Sequence, residues 1–160
     1  MTRADQQEAP VTDETNDWQV SASCEVNATA AEVFDWLARP DNHVALDGSG
    51  NLRGPLRKGR RMGKTGDKFT MRMHWFLPYA IRSTVSEFVE GELIAWNHFA
   101  QHRWRWEVKD LEAGRCEVTE TFDASRAPGR EKYSKLGYPD SYASVLKKSV
   151  AKVAEQFETT

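Results

Sequence analysis

Cysteine is scarce in this 160-residue chain: only Cys24 and Cys116 occur, which points to two free thiols in a reducing compartment. Long hydrophobic runs are missing too. The longest, such as Trp75-Phe76-Leu77-Pro78, are about four residues, far short of the roughly 18 needed to cross a bilayer. An integral, helix-spanned membrane protein is excluded on that ground. Neither sign of charge is in large excess, with 22 Lys and Arg against 24 Asp and Glu and a net charge of −2, so a strongly basic nucleic-acid packager is excluded. The first residues lack the basic and apolar segments of an export signal, and the expected location is the cytoplasm.

What is present suffices for a core. Hydrophobic residues make up 39% of the chain, with 6 Trp, 4 Tyr and 7 Phe, and a domain of this length buries about 70% of the surface its unfolded chain exposes. The charge is uneven. Residues 1–17 carry five acids and one base without apolar periodicity, the composition of a disordered acidic leader. One domain is expected over residues 18–158.

Trp18, Val20, Ala22, Cys24 and Val26 alternate with Gln19, Ser21, Ser23 and Glu25, the period of a half-buried strand. Asn27 or Thr29 then caps a short helix carrying Val33, Phe34, Trp36 and Leu37, which must end before Pro40. A second short helix is expected over 42–46. Beyond the turn at 47–51 the period is two for about 70 residues. Phe69, Met71, Met73 and Trp75 share one face; Trp104, Trp106 and Val108 another; Cys116, Val118, Glu120 and Phe122 a third. Strands over 81–89 and 93–99 meet across Glu90-Gly91-Glu92. Such alternation indicates an antiparallel sheet with one wet face. The period returns to helical in Tyr142, Val145, Leu146, Ser149, Val150, Val153 and Phe157, a long amphipathic C-terminal helix.

The order strand, two short helices, antiparallel strands and one long terminal helix resembles the START-like, or helix-grip, superfamily, which includes birch-pollen allergen-like proteins, START lipid-transfer domains and bacterial polyketide cyclase/dehydrase proteins (SRPBCC proteins). Local text agrees. Residues 26–37 look like the family's strand-to-helix opening, and Asp47-Gly48-Ser49-Gly50 with Arg53-Gly54, Glu90-Gly91 with Ile94-Ala95-Trp96, His102-Arg103-Trp104-Arg105-Trp106 and Thr119-Glu120-Thr121-Phe122 look like an actinobacterial subgroup of it. The resemblance implies an α+β fold: a curved sheet of six or seven antiparallel strands gripping the C-terminal helix. It also implies an apolar cavity between sheet and helix. Phe69, Met71, Met73, Trp75, Trp104, Trp106, Val118, Phe122, Tyr142, Leu146 and Val153 are its candidate lining. The same side chains are equally suited to a filled core.

Catalytic motifs are few. The stretch 59–65 misses the phosphate-loop spacing by one residue and runs into a strand, and 48–54 misses the dinucleotide fingerprint. Residues 53–72 hold eight bases and only Asp67 as an acid, but one inward aromatic gives no stacking platform, so no nucleic-acid partner is expected. A solvated hairpin tip is the simpler reading. His98 and His102 are too few for zinc; no metal or cofactor is expected. His98 or Glu120, a carboxyl on an apolar face, are candidates for proton transfer, and Glu120 could instead reach water or an arginine. Tyr133, Tyr138 and Tyr142 flank a possible lid at 124–137. Three readings follow: a carrier or sensor for a hydrophobic aromatic, polyketide-like or lipidic molecule; a cofactor-free cyclase or dehydratase acting on such a molecule; and a partner-binding module using the basic 53–72 hairpin. The expected state is a monomer or homodimer.

Overall fold

The computed structural model describes residues 14–16, 18–99, 101–137 and 140–158. Its eight strands are β1 (Glu14–Asn16), β2 (Gln19–Val26), β3 (Leu52–Pro55), β4 (Lys68–His74), β5 (Pro78–Val89), β6 (Leu93–Asn97), β7 (Arg103–Asp110) and β8 (Cys116–Asp123). They form one curved antiparallel sheet in the order β1-β2-β8-β7-β6-β5-β4-β3. Eight strands replace the expected six or seven because β1 and β3 have only three and four residues, too short to display an alternation. β1 pairs with β2, so the sheet begins within the segment expected as a leader. The rest of that segment lies outside the described residues.

The helices are α1 (Ala30–Leu37), α2 (His43–Leu46), α3 (Arg130–Lys135) and α4 (Ala143–Gln156), with single 3-10 turns at Pro40–Asn42 and Asp140–Tyr142. Thr29 starts α1 through a reciprocal box: its hydroxyl accepts from the Glu32 backbone N–H, and the Glu32 carboxylate accepts from the Thr29 backbone. Those bonds hold the Glu32 carboxyl below the usual carboxylate range. α4 lies against β2 and β8 and touches α2. Its buried stripe, Leu146, Ser149, Val150 and Val153, meets Val20, Ala22, Val118 and Phe122 in one continuous core. The two thiols sit in it, and Cys24 donates to the Val150 carbonyl at 3.2 Å. Burial pushes Cys24 up to about 12 and Cys116 up to about 11, which keeps both unreactive.

The 47–51 turn clamps α4. A Cβ built on Gly48 would stand 2.2 Å from the Val145 carbonyl oxygen, so only glycine fits. Its N–H donates to Ser149 Oγ at 3.1 Å, and Lys152 Nζ donates to the Asp47 carbonyl at 2.8 Å. The Asp47 carboxylate in turn accepts from the N–H groups of Ser49 and Leu52, fixing the turn's path.

Candidate functional site

Between the sheet and α4 lies a cavity of about 290 Å³, near the lower end of the roughly 300–1,000 Å³ typical of ligand sites. β4 contributes Phe69, Met71 and Met73; β5 contributes Tyr79, Ile81 and Ser83; Trp96 comes from β6 and Trp104 from β7. Tyr142, Val145 and Ser149 close it from the α4 side, and His43, Leu46 and Asp47 from the short-helix side. The aromatic wall is ordered by ring contacts. His43 stacks on Trp96 with centroids 4.7 Å apart, Phe69 meets both edge-on at 5.4 and 5.6 Å, and Trp104 meets Tyr142 edge-on at 5.3 Å.

Four polar side chains matter within this wall. Glu120, only 3% exposed, projects from β8. Burial holds its carboxyl well above the usual carboxylate range; the Ser149 hydroxyl bond opposes the shift and the Asp47 charge adds to it. Glu120 Oε2 makes no hydrogen bond. At that burial the side chain does not reach bulk solvent, and no arginine pairs with it among the described residues. His43 Nε2 donates to the Leu37 carbonyl at 2.9 Å, and burial pushes its pKa down to about 4, so the ring is neutral. His98 and His102 also line the cavity, with rings 4.7 Å apart. Burial lowers both, and the neighbouring His98 helps bring His102 to about 4. Among the described residues no three His, Cys, Asp or Glu side chains group to hold a metal ion.

The expected lining divides. Phe69, Met71, Met73, Trp104 and Tyr142 face the cavity, as do Glu120 and His98. Trp106, Val118, Phe122, Leu146 and Val153 are fully buried in the core outside it. Trp106 shares a face with Trp104 but sits one pair deeper, opposite Glu120 and Ile94. Trp75 differs most: β4 ends at His74, the chain reverses at residues 75–77, and Trp75 is 68% exposed. Tyr138 lies outside the described residues, as does the side chain of Tyr133. His43, Trp96, Tyr79 and Ser149 were not anticipated. Trp96 lies in a stretch whose two faces, Ile94-Trp96-His98 and Leu93-Ala95-Asn97-Phe99, are both rich in apolar residues, whereas His43 sits in a four-residue helix that carries no period.

A second concavity, about 450 Å³, lies outside the first between the 56–62 loop and the start of β4. Arg57, Lys58, Arg60, Lys68 and Arg82 rim it. Arg61 is committed elsewhere, to Asp35 at 2.6 Å and Glu90 at 2.5 Å. Phe69 contributes to both concavities.

A curved antiparallel sheet wrapped on a terminal helix, with a pocket between them, defines a START-like helix-grip domain. The chain belongs to the polyketide cyclase/dehydrase and lipid transport family, whose sequence model matches residues 17–158. An uncharacterised protein of Mycobacterium tuberculosis is 40% identical over 144 residues, 87% of this chain, and the chain spans only 64% of that relative's length. Among solved structures, a Rhodobacter sphaeroides protein superposes with a TM-score of 0.68 at 9% identity, covering 92% of this chain and 97% of that one. A polyketide-cyclase-like protein of Corynebacterium glutamicum gives 0.54 at 14% identity, covering 86% and 90%. These similarities establish the fold, and the family points to a domain that binds hydrophobic ligands. No helix among the described residues is long and apolar enough to cross a membrane.

Proposed function

We propose that this protein is a cytoplasmic carrier or sensor for a small apolar molecule, aromatic or polyketide-like, that carries one hydrogen-bond acceptor. The observation that carries this reading is the pairing of an aromatic and thioether wall with a buried carboxyl, Glu120, whose Oε2 has no hydrogen-bond partner among the described residues, whereas the Asp47 carboxylate beside it is taken up by the Ser49 and Leu52 N–H groups. A protonated carboxyl can donate to a ligand carbonyl or hydroxyl, and an apolar surround strengthens that bond. The volume corresponds to about ten waters at roughly 30 Å³ each, which suits one or two rings better than a diacyl lipid. Trp and Met supply flat and adaptable contact surfaces.

A second reading has its own support. Glu120, His98 and His102 share the cavity, and a carboxyl whose pKa burial raises beside imidazoles whose pKa values burial lowers is the equipment for moving a proton on an enolisable ketone. A cyclase or dehydratase would use it so. The test is native mass spectrometry of the protein from its own host, with extraction of any bound molecule, followed by fluorescence titration of Trp96 and Trp104 with hydroxylated and keto aromatic compounds. The carrier reading expects saturable quenching without turnover, weakened about tenfold in Glu120→Leu, which loses the donor, and kept in Glu120→Gln, whose amide still donates. Turnover abolished in Glu120→Gln with binding kept would establish the enzyme instead. An empty protein that no compound quenches would overturn both.

A further inference from the structure

β5 pairs with β6 only from Thr84 onward, where Thr84 faces Asn97. Residues 78–83 pair with β4 alone, and β3 covers β4 only up to the Leu52–Met73 pair, so the turn at 75–77 projects past both neighbouring strands, β3 and β6. Its tip is apolar and wet: Trp75, Phe76 and Leu77 are 68, 80 and 75% exposed, and the Trp75 and Phe76 rings touch at 4.6 Å. Isolated exposed hydrophobic residues are ordinary, but three in succession at a hairpin tip are not. The stem is one-signed. Residues 68–86 include Lys68, Arg72, His74 and Arg82 and no acid, and neither Arg72 nor Arg82 has an ion pair among the described residues. β6 runs toward the same end of the antiparallel sheet, and Phe99, just past it, is also exposed. Met73 and Tyr79, paired directly below the tip, line the cavity.

An aromatic apolar tip on a cationic stem is the chemistry that inserts into an anionic lipid interface: rings enter the headgroup boundary while the bases meet phosphate. We infer that the β4–β5 hairpin docks this protein on anionic bilayers, with residues 75–77 inserted and Arg72 and Arg82 on the headgroups. Docking brings the Met73–Tyr79 side of the cavity to the bilayer, where apolar molecules partition. The inference stands apart from the ligand proposal, because empty protein must bind the vesicles too.

The test is co-sedimentation of the full chain with vesicles of phosphatidylcholine with and without phosphatidylglycerol. Wild type is expected to bind the anionic vesicles, and to bind less as salt rises. Trp75→Ser, Phe76→Ser and Leu77→Ser combined should weaken partitioning at least about a hundredfold. Arg72→Gln or Arg82→Gln should each weaken it about fivefold. All five side chains are exposed, so the fold is spared, and circular dichroism checks it. Wild type that ignores both vesicles, or a triple variant that sediments like wild type, overturns the inference. So does a wild-type dimer that the triple variant dissociates without vesicle binding, which would make a second copy the occupant.

Discussion

The two halves of the sheet handle charge in opposite ways. On β7, β8 and the lower part of β5, outward cations and carboxylates are matched: Arg103 binds Glu87 at 3.0 Å and also Asp123, and Arg105 reaches Glu87 and Glu107. Hydroxyls are matched across β2 and β8, with Ser21 to Thr121 and Ser23 to Thr119 each at 2.7 Å. On β4 and the upper part of β5, the arginines have no acid to meet and the tip has no cover. The first half has the charge pattern of a surface satisfied by itself. The second is a surface whose arginines have no ion pair among the described residues. Counting bases along the sequence singles out 53–72 as a block; partnering divides it, since Arg61 is locked to Asp35 and Glu90 while Arg57, Arg60 and Arg72 face water.

The contrast can be broken by substitution. Arg103→Ala should be the most damaging, about 3 kcal/mol in urea unfolding, because Asp123 is buried and would lose its counter-charge, keeping the Ser125 hydroxyl and the Ser125 N–H at 2.8 Å. A loss under about 1 kcal/mol would mean the matched half is no better tied than the open one. Glu120→Gln, on the inner side of that half, sharpens the picture through pH. A raised native pKa means the unfolded chain releases the proton first, so the buried acid lowers stability as pH rises above 4.5. The Gln variant should therefore gain on wild type by about 1.4 kcal/mol per pH unit from there to the native pKa. His43 and His102 act oppositely: lowered native pKa values mean their contribution is lost as pH falls from 6.5 toward about 4, in wild type and variant alike. Equal pH profiles for the two proteins would show that Glu120 is ionised in the fold. Arg72→Ala and Arg82→Ala should change stability least, by under about 0.5 kcal/mol; a larger loss would give the open hairpin hidden partners.

Much of this architecture was legible in the amino-acid order. The alternation in 19–26, 103–110 and 116–123 and the threes and fours of 142–157 each name a face, and the faces meet in one core. Glu120 stood out because a carboxyl on an apolar face contradicts its neighbours. Other features leave no periodic trace. Alternation continues through Trp75 in the text, but the chain has already turned, and Pro78 begins β5 where no β6 strand needs its missing N–H. α2 is about one turn long, so His43 reaches the cavity through tertiary placement alone. Cavity and core lining cannot be separated by pattern, since Trp104 and Trp106 share a face and differ only in what stands opposite.

Phe69 is the one side chain common to the oily chamber and the cationic cleft. A single benzyl group is therefore the bulkhead between two solvents. Trimmed to a methyl, it is expected to bring the greasy chamber and the positive cleft into contact.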